Sequence, residues 1–164
     1  MMKQLPQLCQ TQIYTQFLFK DFLSKFSLFF NFKREMLDFN MMEVDNELNG
    51  KIRTRKKILR YPFYTYENEQ YCNMMIDFMN SLEVRFYKKD DVLARELDEC
   101  LELLFVEKGS YKIGFEINNK IFFKRCFGMC TIIGGFQICY RKRFIFYYKV
   151  FRPMSCLSIR KEYF

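Results

Sequence analysis

The chain has 164 residues, half of them hydrophobic, with 27 Lys+Arg against 19 Asp+Glu and a formal charge of +8. That length holds one domain with an appendage, and 21 Phe and 11 Tyr make the chain too apolar for intrinsic disorder. Histidine is absent, which excludes Ser-His-Asp and Cys-His catalysis, histidine acid/base chemistry and every His-containing metal site.

From about Leu5 to Phe32 the pattern is helical. Pro6 is placed to open a helix, where its missing N–H costs nothing. Leu8, Ile13, Phe17, Phe19, Phe22, Leu23, Phe26, Phe29 and Phe30 recur mostly three to five apart, a broad apolar stripe that needs a partner. Residues 33–62 lack such a pattern. An acidic stretch ends at Asn49-Gly50, and a basic run follows through Lys51, Arg53, Arg55, Lys56, Lys57 and Arg60. This reads as an exposed linker or insertion; a localisation signal or a lipid-contacting patch are the other readings of the basic run.

A third zone starts at Phe63 with a helix expected over about 66–82, where Met74, Met75, Phe78, Met79 and Leu82 share a face. The Met74/Met75/Met79 stripe is read as core packing. After Asn80-Ser81 the period shifts toward two. Seven or eight short strands are expected, at 84–87, 92–94, 101–106, 111–117, 120–125, 143–151 and 156–159. Lys108-Gly109-Ser110 and Asn118-Asn119-Lys120 are expected as hairpin turns between them. A helix leading into such strands is an α+β plan dominated by a small antiparallel barrel or roll.

The chemistry-bearing residues are sparse. Seven cysteines at 9, 72, 100, 126, 130, 139 and 156 contain no Cys-x-x-Cys pair, so they are read as small apolar residues in a reducing compartment, with no metal site. Glu96, Asp98, Glu99 and Glu102 lack a calcium-loop motif and read as solvated, while Asp77 and Glu116 are isolated carboxylates. No Walker loop, nucleophile elbow or dinucleotide fingerprint occurs, so no catalytic residue is assigned and no enzyme is expected. From Lys120 to Phe164 there are ten Lys/Arg and one acidic residue, Glu162. That face could meet nucleic acid, anionic lipid or a phosphate ligand, or simply water; no stacked-aromatic RNA signature is present, and no nucleic-acid partner is expected. Lys20, Asp21 and Lys25 break the N-terminal apolar run, so a signal peptide is not expected. The uncharged stretch 127–140 is 14 residues with three glycines, too short for a membrane span, and the chain is expected to be soluble.

Four stretches carry a family resemblance. They are Leu5-Pro6 with 13–23 (IYTQFLFKDFL), 79–87 (MNSLEVRFY), 105–118 (FVEKGSYKIGFEIN) and 133–136 (IGGF). In this order they resemble the cytosolic C-linker and cyclic-nucleotide-binding-like domain of cyclic-nucleotide-regulated and voltage-gated cation channels, close to the potassium-channel branch expanded in ciliates. The resemblance implies C-linker-like helices at 3–32, an insertion at 33–62, and at 63–164 a jelly-roll-like β-roll that lacks the C-terminal lid helix. It implies a homotetramer formed through the N-terminal helices, a channel transmembrane domain outside this chain, and a place on the cytosolic face of a membrane. A stand-alone interaction scaffold and a kinase-regulator-like protein are the rival readings.

The resemblance also implies a phosphate-binding cassette at Gly134, Gly135, Phe136, Gln137 and Arg143, with cAMP or cGMP as ligand. The family places a ribose-binding glutamate where this chain has Gly135, and a small residue where it has Ile145. The cassette is therefore expected to be degenerate. A charged hydrogen bond of that kind contributes about 1.5–3 kcal/mol, so its loss implies roughly ten- to hundred-fold weaker binding.

Overall fold

The computed structural model describes residues 6–30, 66 and 68–163; the expected 33–62 insertion lies outside the described residues. The chain divides into two units, Met1–Met75 and Ile76–Phe164.

In the first unit the apolar stripe folds into short helices: α1 (Gln7–Gln12), a π-helical run (Ile13–Leu18), α2 (Lys20–Lys25) and α3 (Ser27–Phe30). The i→i+5 bond from Phe19 N–H to Tyr14 O (2.8 Å) widens the helix and stacks the two rings with centroids 6.0 Å apart. Phe22 and Phe26 are buried, and the Phe22 ring lies 5.2 Å from that of Phe26 and 5.4 Å from that of Phe30. Phe17, expected on the buried stripe, is 76% exposed: the added π-turn residue rotates it off the face that holds Phe22. Helix α4 (Glu69–Asn80) is shorter at both ends than expected, opened by the Asn68 side chain accepting from Tyr71 N–H at 3.0 Å.

The second unit is a six-stranded antiparallel sheet: β1 (Glu83–Tyr87), β2 (Val92–Ala94), β3 (Glu102–Ile117), β4 (Lys120–Phe127), β5 (Thr131–Ile133) and β6 (Tyr147–Arg160). A short helix α5 (Gly135–Tyr140) lies between β5 and β6. Strands β3 and β6 pair along nearly their whole length. One half of that ladder is flanked by β1 and β5, the other by β2 and β4. The two halves fold over one core containing Leu104, Val106, Tyr111, Ile133, Phe144, Tyr148, Val150, Met154 and Cys156. This is the α+β roll expected from the alternating pattern.

Two expectations need correction. Lys108-Gly109-Ser110 is not a hairpin turn: β3 runs straight through it as one strand, with register shifts against β6 between Val106 and Tyr111. Gly109 sits at φ +89°, and any Cβ there would collide with the Pro153 carbonyl of β6. Glycine is required because two backbones cross closely at the corner of the roll. Likewise 143–151 and 156–159 are not two strands. Residues 143–146 precede the sheet, and β6 continues from Tyr147 past Pro153, which sits at the bulged corner where a missing N–H is tolerated. Asn118-Asn119 is the hairpin turn expected, with both residues at positive φ (51° and 59°) as a type I′ turn needs.

Leu103, Leu104, Phe105 and Val106 are all buried, because this half of β3 is covered on both faces. The Phe78 ring from α4 meets Phe105 edge-on at 6.0 Å, and Met79 beside it is 1% exposed. Phe105→Ala is therefore expected to cost about 3–5 kcal/mol, read as a lower urea midpoint with an unchanged slope.

All seven cysteines are free; Cys9, Cys126, Cys130 and Cys139 are exposed, while Cys72, Cys100 and Cys156 are buried. Burial pushes the Cys156 thiol up from 9.0 to about 12. The folded state thus holds that proton more tightly than the unfolded chain, and stability that is intact below pH 9 declines as pH rises toward about 12. A thiol reagent at neutral pH should label the four exposed cysteines quickly and the three buried ones only on unfolding. An alkaline melt should show the loss, and Cys156→Ala should flatten part of it.

Candidate functional site

The segment that the sequence marks as a phosphate cassette joins β5 to β6. Ile133 ends β5 in the core, paired with Leu104, and holds the next residue against the wall of the roll. Gly134 follows at φ +93°, ψ −9°, a left-handed turn into α5. A Cβ on Gly134 would stand 2.7 Å from Cys100 Sγ and 2.9 Å from the Glu102 carbonyl, so conformation and space both demand glycine. The Gly134 carbonyl accepts the first helical bond, from Ile138 N–H at 2.9 Å. Gly135 is different: its nearest neighbours beyond an added Cβ are Ile132 Cγ2 and Leu103 Cδ1, each at 3.8 Å, and it has room for a side chain.

Helix α5 is closed by Arg141 in the left-handed region (φ 51°), with Lys142 N–H bonded to Gln137 O at 2.9 Å and Arg141 N–H to Ile138 O at 3.3 Å. This is a Schellman closure carried by arginine in place of glycine. Phe136 and Tyr140 are exposed on α5 and their rings meet at 4.8 Å. Gln137 is only 6% exposed, and its side chain near the Tyr148 phenol slightly offsets the upward shift that burial imposes there.

Arg143 lies in the coil after α5, not on a strand, and its guanidinium Nη1 donates to Leu97 O at 2.9 Å. Around it, Leu97 N–H bonds Phe144 O (2.7 Å) and Phe144 N–H bonds Asp98 O (3.0 Å), clamping the 95–98 turn beside the coil. Phe144 is buried against Tyr148, and Ile145 is 59% exposed. The structure thus gathers Gly134, Gly135, Phe136 and Gln137 on one turn and short helix and sets Arg143 on the coil that follows. It gives the guanidinium a backbone partner and sets the Gln137 side chain near a core phenol. Two neighbours of the site had no local sequence signal: Cys100, whose Sγ is 3.7 Å from Gly134 O, and Leu97.

The acidic residues have structural partners. Glu96 accepts from Glu116 N–H (2.8 Å), Asp98 from Arg95 N–H (2.7 Å), Glu99 from Lys161 Nζ (2.7 Å), and Glu102 lies 3.5 Å from Arg85. The Lys161 hydrogen bond holds the Glu99 carboxyl below its usual range. Among the described residues no three ligating side chains converge on a metal position, and no helix is long and apolar enough to cross a membrane.

No family model matches the sequence, and no curated protein matches it. Solved structures do match the fold. The regulatory domain of Toxoplasma gondii PKA with cAMP is 15% identical, with a TM-score of 0.51 over 62% of this chain and 38% of its own. The cAMP-bound PfPKA-R (141–441) is 16% identical, with a TM-score of 0.51 over 59% of this chain and 34% of its own. The chain therefore spans little more than a third of the length of either structure, and it has the cyclic-nucleotide-binding β-roll fold.

The geometry separates the two cassette glycines. Gly134→Ala should destabilise by roughly 1–2 kcal/mol from the left-handed backbone alone, with the Cys100 clash added. Gly135→Ala should leave the melting temperature nearly unchanged. Paired thermal melts test the contrast, and equal losses would contradict it.

Proposed function

We propose that this chain is a regulatory, non-catalytic cyclic-nucleotide-binding-like module with a degenerate phosphate cassette, working on the cytosolic side of a cation channel of the potassium-selective kind. One observation carries the reading. The roll has a left-handed Gly134 turn leading into a short helix, and the sequence resemblance aligns Gly135, which has room for a Cβ and bears no carboxylate, with a ribose acceptor. In this reading the turn is the backbone framework for a nucleotide phosphate, without the charged contact that would hold the sugar.

The channel assignment rests on the sequence resemblance of the aromatic N-terminal helices to a C-linker. In that reading residues 3–32 are the linker helices, 33–62 an insertion and 63–164 the roll. Four copies assemble through the N-terminal helices. The mechanism is a population shift: two states of the roll differ in how they bias the linker, and whatever binds one state better moves the gate. An in-frame reading of the gene upstream of Met1 tests it. Six hydrophobic spans and a pore loop support the channel; a stop codon just upstream favours a stand-alone scaffold.

The cassette reading has its own test. A ligand that binds only the folded state raises stability by about 2.7 kcal/mol at a hundred times its dissociation constant. Wild-type protein is expected to show no thermal shift with millimolar cAMP or cGMP. Gly135→Glu, whose Cβ the site accommodates, should produce one, and adding Arg143→Glu should remove it. A robust shift for the wild type would overturn the degenerate-site reading.

A further inference from the structure

The hairpin of β3 and β4 has a surface that neither the core nor the cassette uses. Every residue of β4 is exposed. Near the Asn118-Asn119 turn the large apolar side chains Ile117, Ile121, Phe122 and Phe123 are 50%, 37%, 47% and 37% exposed. The register pairs Phe115 with Phe122 and Glu116 with Ile121, so Phe122 lies on one face of the ribbon and Ile121 and Phe123 on the other. Both faces of the tip are apolar.

Cations flank this tip, beside Glu116 and the Glu96 carboxylate that accepts from its N–H. Lys120, Lys124 and Arg125 lie on β4, Glu116 is the one acidic residue between Tyr111 and Phe127, and none of the three cations is in an ion pair among the described residues. Lys124 is bulged out of the ladder, opposite the register shift between Ile113 and Gly114, with Nζ 5.7 Å from the Phe115 ring.

We propose that this hairpin tip inserts into the headgroup–acyl boundary of an anionic lipid bilayer. A folded protein or an oligonucleotide strand covers one face of a ribbon; a fluid interface surrounds both. Ile117 and Ile121 offer no ring on which a base could stack, whereas any apolar side chain gains from leaving water. The cations sit beside the apolar tip, where long side chains keep their charges at headgroup level and meet anionic phosphate and carboxylate groups. Strand addition by a second copy is opposed by the bulge and by lysines on the free edge. The anchor is peripheral and reversible, since a few side chains fall far short of a membrane span. It stands apart from the channel and nucleotide readings, since it requires neither.

The chain contains no tryptophan, which gives a clean probe. In the 164-residue chain carrying Phe122→Trp, the introduced indole is the sole one. Its emission should shift to the blue on mixing with phosphatidylcholine–phosphatidylserine vesicles and be quenched by brominated acyl chains, with neither effect on phosphatidylcholine alone. Wild-type protein should co-sediment with the anionic vesicles, less so as salt rises. Phe122→Asp with Phe123→Asp should weaken that partition at least about tenfold while the thermal melt is retained. The proposal is overturned if the wild type fails to sediment with anionic vesicles, or if sedimentation survives the double substitution. It also fails if an oligonucleotide displaces the vesicles by binding the same tip, or if Phe122→Asp instead dissolves a dimer.

Discussion

The antiparallel ladder between β3 and β6 is the interaction on which the second unit depends. Each strand is long enough to serve two groups of neighbours, and each must bend midway for those groups to close over a single core. The bend is made where Gly109 passes the Pro153 carbonyl: a positive φ on one strand and a residue without an N–H on the other let the backbones cross where two regular strands could not. Without that corner the buried rows through Leu104, Val106, Val150 and Cys156 would lie along a flat sheet with half their area in water.

The cassette inherits its place from this ladder. Strand β5 is held by the first half of β3, and Gly134 is pressed on Cys100 and Glu102 from the segment leading into the same strand. Phe144 fixes the far end by burying against Tyr148 of β6. The turn is thus a structural part of the roll, its shape set by the packing of Gly134 on Cys100 and Glu102 and of Phe144 on Tyr148. Gln137 makes the same point, since its side chain is buried beside the Tyr148 phenol.

The hairpin beyond the core is a different kind of feature. Its inner neighbour Tyr111 is buried and stacked on Phe127 at 5.6 Å, while the tip carries apolar residues left partly or largely exposed, Phe123 alone meeting Tyr147 of β6 at its edge. Exposed aromatic and aliphatic side chains on both faces, set among cations, are costly in water and are therefore the place to look for a partner.

What the sequence determined by itself was local. Alternating apolar residues marked β1, β2 and β4 almost to the residue, Asn118-Asn119 declared a hairpin because two adjacent positive φ values favour asparagine, and the missing histidine removed whole classes of chemistry. Gly134-Gly135 was visible as a turn. The tertiary structure decided the rest. A glycine bulge and a glycine turn look alike in sequence, and only Pro153, 44 positions from Gly109, tells them apart by crossing it. That Gly134 is obligatory while Gly135 is not depends on Cys100, 34 residues away, and the partner of Arg143 is Leu97, 46 residues away. Phe17 and Phe22 share one periodic stripe in sequence, yet the π-helical run Ile13–Leu18 turns one outward. Local pattern fixes backbone preference, whereas the occupant of the space beside a residue is set by strands that the chain brings back from far away.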